Sequence, residues 1–338
     1  MKRPLVKRWQ SCSEERLLSL RICDLRLSSR DTVIEDRMRR LHMELKMAGL
    51  RFRPHHWLSH EWFTPDGIPG IAVPFYLAHP RLAALERRQM LVAEGSSEAE
   101  CMRILRHEAG HAIDNAYRLH RRKAWRETFG SIREPYPDSY RPRPDDRNFV
   151  QHLGGWYAQA HPAEDFAETF AIWLTPGSAW RSRFRDWPAL RKLEYVDNLM
   201  TEIASEVPAV RTRRQVEPAS KINTTLAEHY AQKHEHYAVD WPGYYDEDLR
   251  RVFASSATVT RRPAAAAWLR HHRRDISRVV AEASGMSAYS INQLLQIMIE
   301  RSRVLKLRLK VAPRETREKL LLMLTVNSMQ VAHRRYLS

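Results

Sequence analysis

The sequence predicts an α+β N-terminal domain, built on a small mixed sheet, followed by an all-α C-terminal domain. Three observations carry this. Strand and turn signals are confined to the first 80 residues or so, two strong helical patterns follow at 97–120 and 161–175, and everything beyond about 222 repeats its apolar residues at helical spacing. Residues 1–206 are assigned to the first domain, 207–221 to a linker and 222–338 to the second.

Taken in order, 20–27 alternates Leu20, Ile22, Leu25 and Leu27 with polar residues and reads as a strand, and 33–47 reads as a helix covering it. Residues 51–76 are rich in aromatic and β-branched side chains and are broken by Pro65-Asp66-Gly67 and Pro69-Gly70, which predicts two or three short strands. Pro74 lacks the amide that a neighbour would need, so the strand at 71–76 is expected at a sheet edge. Ser97 and Glu100 form a capping box that opens a helix to about His120, with Met102, Leu105, Ala109, Ala112, Ile113 and Ala116 as its apolar stripe. Pro135, Pro137, Pro142 and Pro144 make 130–148 a loop. Pro162 and the acidic residues after it start a second helix, which ends before Pro176-Gly177. Val207 to Ser220 has two prolines, three arginines and little periodicity, hence the linker; helices are expected at 222–237, 263–284, 287–309 and 314–335, separated by Trp241-Pro242-Gly243, Gly285 and Pro313, with no strand among them.

A chain of 338 residues, 43% hydrophobic and with ten Trp and twelve Tyr, can bury a substantial core, which excludes a disordered chain. Cys12, Cys23 and Cys101 form no CxxC pair, so neither a disulfide framework nor a thiolate metal site is expected. Lys7, Arg8 and Gln10 interrupt the apolar run that a cleaved signal would need, and the longest apolar run, 71–78, is too short to span a bilayer. A soluble protein of the reducing cytoplasm is therefore expected, without a membrane partner. The formal charge of +16 favours anionic partners, an acidic peptide or a nucleic acid, although arginines on solvated helix faces give the same sum.

The chemistry centres on His107-Glu108-Ala109-Gly110-His111. Positions i and i+4 share a helix face, so His107 and His111 can converge on one ion, and Glu108 is placed to take a proton from an attacking water. Imidazole and carboxylate donors with one open position suit a catalytic Zn²⁺, one per chain. A glycine inside a helix costs about 1 kcal/mol, so Gly110 points to close packing there. For the third ligand the second helix offers Glu164 and Glu168, again at i and i+4; Glu164 can bind the metal while Glu168 orients a ligand imidazole through its other N–H. Asp165 competes on spacing alone, and both Glu164 and Asp165 also suit a helix N-terminus without any metal.

The runs from Arg106 to Asp114 and from Tyr157 to Phe170, the latter reading Tyr157-Ala158-Gln159-Ala160-His161-Pro162-Ala163-Glu164-Asp165-Phe166-Ala167-Glu168-Thr169-Phe170, resemble bacterial zinc-binding metallopeptidases and the catalytic domain of lethal-factor-type toxins. The resemblance covers roughly 20–205 and is specific around 104–117 and 154–174. It implies a zincin-like fold of gluzincin type, with Glu164 as the third zinc ligand. It also implies that Tyr157, seven residues before that glutamate, stabilises the tetrahedral intermediate, a role for which a phenol is suited because it can donate a hydrogen bond to oxyanion charge. This chain lacks the CxxC pairs of the N-terminal zinc ribbon found in some members.

The sequence thus points to a zinc metallopeptidase that hydrolyses peptide bonds. Two other readings use the same residues: a zinc amidase acting on a non-peptide or isopeptide bond, and a non-catalytic binder of nucleic acid or another anionic partner. Ile71, Ala72 and Val73 are candidates for main-chain pairing with an extended substrate. Of His55, His56 and His60, the last two share a strand face that carries no acidic partner, and the group reads as partly buried strand histidines. Arg261-Arg262, the run from Arg270 to Arg274 and the stretch 301–310 alternate with apolar residues and read as solvated helix faces.

Overall fold

The computed structural model describes residues 9–137, 140, 143, 146–237, 245–255, 259 and 261–335, with the side chains of 330–335 excepted. Pro142, Pro144 and the separator Trp241-Pro242-Gly243 lie outside the described residues. The chain divides into two compact units, Met1–Arg87 with Ala93–His229, and Arg88–Val92 with Tyr230–Ser338. Most of the described chain is helical, with two small two-stranded sheets.

In chain order the elements are α1 (Glu14–Leu18), α2 (Val33–Met47), β1 (His55–Ser59), β2 (Gly70–Pro74), α3 (Pro80–Met90), α4 (Glu98–Tyr117), α5 (Lys123–Phe129), α6 (Pro162–Leu174), α7 (Trp180–Arg183), α8 (Leu190–Ile203), α9 (Leu226–His236), α10 (Asp246–Val252), β3 (Phe253–Ser255), α11 (Ala265–Ser284), α12 (Ala288–Val304), β4 (Leu307–Leu309) and α13 (Pro313–Arg335).

In the first unit, α2 buries Ile34, Met38, Leu41 and Leu45, the three-to-four spacing of a single helix face. Glu44 is buried on the same helix because Arg106 of α4 grips it with two hydrogen bonds of 2.8 Å, and a buried carboxylate needs such a partner. β1 and β2 pair in parallel with His55 opposite Gly70 and Ser59 opposite Pro74. The expected strand at 20–27 is instead a 3₁₀ turn, Ile22–Leu25, with one isolated bridge from Arg21 to Thr225. Its apparent alternation misleads because only Ile22 and Leu25 are buried, three residues apart on one side of a turn.

The opening of α4 follows the capping box, with the Ser97 hydroxyl accepting the Glu100 amide at 3.2 Å. The helix stops at Tyr117, short of His120, where Arg118 enters the left-handed region at φ 54° and a 3₁₀ turn, Leu119–Arg121, follows. α6 begins as expected with Pro162 in its first turn, and the imidazole of His161 caps it by accepting the Ala163 amide at 3.1 Å. Nearly every α6 residue is buried, and an aromatic cluster of Trp125, Phe129, Phe166 and Phe170 packs along it. At the crossing of α4 and α6, a Cβ added to Gly110 would lie 2.8 Å from the Cα of Ala167. Glycine at 110 therefore sets how closely the two helices approach.

The stretch 207–221, expected as a linker, is part of the first unit. The Val210 amide bonds the Ala116 carbonyl at 2.9 Å, the Trp57 indole bonds the Val216 carbonyl at 2.8 Å, and the Ser59 hydroxyl bonds the Glu217 carbonyl at 2.7 Å. Main-chain bonds satisfied by the folded domain replace the solvation that a free linker would have, and the division falls after His229.

The second unit is helical around a core of Leu249, Trp268, Leu269, Ile276, Val280, Leu294, Leu295 and Met298. It is not purely helical. β3 and β4 form a three-residue antiparallel pair, Phe253 opposite Leu309, so the helix expected over 287–309 ends at Val304 and leads into a strand that buries Leu307 and Leu309. Among the described residues no helix is long and apolar enough to cross a membrane.

Gly110→Ala tests the helix crossing. Alanine would raise helix propensity by about 1 kcal/mol, but the overpacking it forces costs roughly 1–3 kcal/mol, so the variant is expected to unfold at lower temperature and denaturant concentration than the wild type. A variant of equal or higher stability in thermal and urea unfolding would show that the crossing is not limited at Gly110.

Candidate metal centre

Two turns of α4 and the first turn of α6 meet at one end of the crossing. His107 and His111 project from one face of α4, and Glu164 comes from α6. The Nε2 atoms of the two imidazoles are 3.1 Å apart, and Glu164 Oε2 is 3.0 Å from His107 Nε2 and 3.2 Å from His111 Nε2. Four-coordinate zinc with bonds of about 2.0–2.1 Å requires donors about 3.3 Å from one another, so the triangle has the size and the chemistry of a zinc site. These residues form a group able to hold a metal ion among the described residues.

Glu168, one turn further along α6 and fully buried, faces His107 Nδ1 at 3.0 Å. Its carboxylate also accepts the amides of His152 at 2.8 Å and Leu153 at 2.9 Å. An acceptor of this kind keeps the proton of His107 on Nδ1 and leaves the Nε2 lone pair for a metal. Asp165 is removed from the competition: it points away and pairs with Lys192 at 2.5 Å.

Burial opposes charge on both imidazoles, yet the hydrogen bonds that His107 donates to Glu164 and Glu168 outweigh it there, and its pKa is raised to about 10. His111 is also raised: burial again opposes the cation, and the charge of Glu164 overrides it. Against its own burial, the same pairing with His111 and His107 keeps Glu164 well below the usual carboxylate range.

Glu108 follows His107 on α4 and is buried; one of its oxygens accepts the Thr64 hydroxyl at 2.8 Å. Tyr157 sits on a 3₁₀ segment, Gly154–Gln159, with its ring 5.7 Å from that of His107. Gly155 and Trp156 both have positive φ there, 74° and 57°, a conformation that costs a tryptophan about 1 kcal/mol or more and so must be held by its surroundings. Burial pushes the Tyr157 phenol up, and the charges of Glu164 and Glu108 add to the shift, so it remains a neutral donor.

His107, Glu108, His111, Tyr157 and Glu164 line one cavity of about 510 Å³, together with Trp62, Phe63, Thr64 and Tyr136. The structure does not bring Ile71, Ala72 or Val73 to that wall. All three are fully buried, and the Ala72 amide donates to the Phe63 carbonyl at 2.9 Å, so the extended segment facing the cavity is 62–64 rather than β2. The sequence missed Thr64 and Tyr136; the phenol of Tyr136 donates to Glu164 Oε1 at 2.9 Å, and nothing in its spacing from the histidines signals this. His55, His56 and His60 each have another neighbour, respectively the Arg214 carbonyl, the Ser29 hydroxyl, and Ser59 with Glu217. In the second unit Arg270, Arg274 and Arg278 are exposed on α11 opposite the buried Ile276 and Val280, and Arg301 pairs with Asp246.

Residues 93–179 match the model of a family described as "Putative zinc-binding metallo-peptidase". The matched segment is about a quarter of the chain and contains all of α4 and α6, hence His107, Glu108, His111, Tyr157, Glu164 and Glu168. No curated protein and no solved structure matches the chain.

A metal must displace the proton from His107 in the metal-free protein, and a group with its pKa raised to about 10 is protonated throughout the neutral range. Zinc affinity, read by chelator competition, is therefore expected to rise with pH by at least about tenfold per unit between pH 6 and 8, because His111, also raised, gives up a proton to the metal over part of the same range. An affinity that is flat over that range would contradict the proton inventory of the site.

Proposed function

We propose that this protein is a zinc metallopeptidase of gluzincin type with a zincin-like catalytic unit. The observation that carries the proposal is the triangle of His107, His111 and Glu164, with Glu108 beside it in a cavity large enough for a peptide segment. Zinc held there supplies Lewis acidity, polarising the scissile carbonyl and acidifying the attacking water.

The remaining work falls to side chains of this chain. Glu108 accepts the proton of the attacking water and returns it to the leaving amine; the Thr64 hydroxyl fixes one of its oxygens and leaves the other to face the reaction. Tyr157, kept neutral by burial and by the neighbouring carboxylates, donates a hydrogen bond to the oxyanion of the tetrahedral intermediate. Glu168 fixes the ring of His107 and takes no part in proton transfer. The wall carries Asp66, Glu94 and Glu100 against Arg103, a balance that argues against the acidic substrate suggested by the overall charge. Cys12, Cys23 and Cys101 are free thiols, which fits action in a reducing cytoplasm.

Glu108→Gln separates metal binding from chemistry. The variant is expected to bind zinc as the wild type does while its cleavage of a peptide library falls by about 10²–10⁴-fold, the usual loss of a general base. His111→Ala is expected to lose the metal. Cleavage by Glu108→Gln at the wild-type rate would overturn the mechanism.

A further inference from the structure

We infer that Tyr136 is a positioning residue for the metal ligand Glu164, fixing the carboxylate oxygen that does not face the imidazoles; the assignment rests on the metal centre proposed above. Glu164 is 5% exposed and its two oxygens are used differently. Oε2 faces His107 and His111 at 3.0 and 3.2 Å, and Oε1 accepts the phenol of Tyr136 at 2.9 Å. A carboxylate on a short side chain can rotate about its last bond and exchange its oxygens. A donor held on one oxygen removes that freedom and selects the other as ligand.

The phenol is itself held in place from the helix that carries Glu164. The ring of Tyr136 stacks on the imidazole of His161, with centroids 3.8 Å apart and planes 16° from parallel. That imidazole caps α6: its Nδ1 accepts the Ala163 amide at 3.1 Å, which leaves the proton on Nε2, 2.9 Å from the Glu134 carbonyl. The stretch 134–136 is thereby fastened to the N-terminus of α6 at its carbonyl and at its ring, three residues before the ligand. Tyr136 is 57% exposed, so its face is mostly on the surface and its hydroxyl end reaches the buried carboxylate. Such burial adds little to the core, which distinguishes this tyrosine from a packing residue.

The division of labour with Tyr157 follows from what each phenol meets. Tyr136 bonds a ligand oxygen in the resting protein, whereas Tyr157 lies beside the His107 ring on the cavity wall. Tyr136 acts through Glu164, and its contribution is to metal affinity.

The test is zinc affinity, measured by chelator competition on the full chain for the wild type, Tyr136→Phe, Glu164→Gln and the double variant, with thermal unfolding of the metal-free proteins alongside. Phenylalanine keeps the stack on His161 and removes only the hydroxyl. Tyr136→Phe is expected to raise the zinc Kd by about 10–100-fold with little change in unfolding temperature, and the effect is expected to shrink to less than threefold in the Glu164→Gln background. A wild type that binds zinc, with Tyr136→Phe within twofold of it, overturns this assignment and leaves the metal centre standing. A full-sized effect in the Glu164→Gln background also overturns it, because the tyrosine would then act by another route. A wild type that binds no zinc overturns the metal centre and this assignment together.

Discussion

The close crossing of α4 and α6 at Gly110 and Ala167 is the constraint on which the site depends. His107 and His111 lie one turn apart on α4, and Gly110 between them lets the α6 backbone approach to a distance that no larger residue allows. Glu164 and Glu168 then reach the two sides of the same imidazole, the first at Nε2 and the second at Nδ1, each at 3.0 Å. Interiors are packed like crystals and transmit small shifts, so a few tenths of an ångström at this crossing would be felt at donors only about 3 Å apart.

This arrangement buries several carboxylates in a chain whose formal charge is +16. Removing carboxylates from water is costly unless each finds donors: Glu44 has Arg106, Glu168 has two main-chain amides and an imidazole, and Glu164 has two imidazoles and a phenol, whereas Asp165 bonds Lys192 through one oxygen and buries the other without a hydrogen-bond partner. The basic surplus therefore says little about the cavity, where carboxylates dominate. Net charge reports on the solvated surface, and the reactive site is decided by which charges are brought inside.

Much of the site was legible because it is helical and local. The i and i+4 spacing of His107 and His111, the capping residue Ser97 and the proline at 162 all act within a turn or two, and the structure keeps each of them. The approach of α4 to α6 was legible only as a hint, a glycine inside a helix that needed a reason. Failures came where the outcome depends on distant partners. Ile22 and Leu25 look like a strand until their burial shows a turn, 207–221 looks like a linker until the carbonyls of Val216 and Glu217 meet Trp57 and Ser59, and Leu307 and Leu309 look like the end of a helix until Phe253 pairs with them. Tyr136 belongs to the same class: it sits 28 residues from Glu164, in a proline-rich stretch with no periodicity to place it.

The most direct measurement is a crystal structure of the zinc-loaded protein with anomalous data collected on both sides of the zinc absorption edge. The account predicts a single anomalous peak per chain, bonded to His107 Nε2, His111 Nε2 and Glu164 Oε2, with a fourth position open toward Glu108 and Tyr157. A peak elsewhere, or Asp165 in place of Glu164 among the ligands, would contradict it.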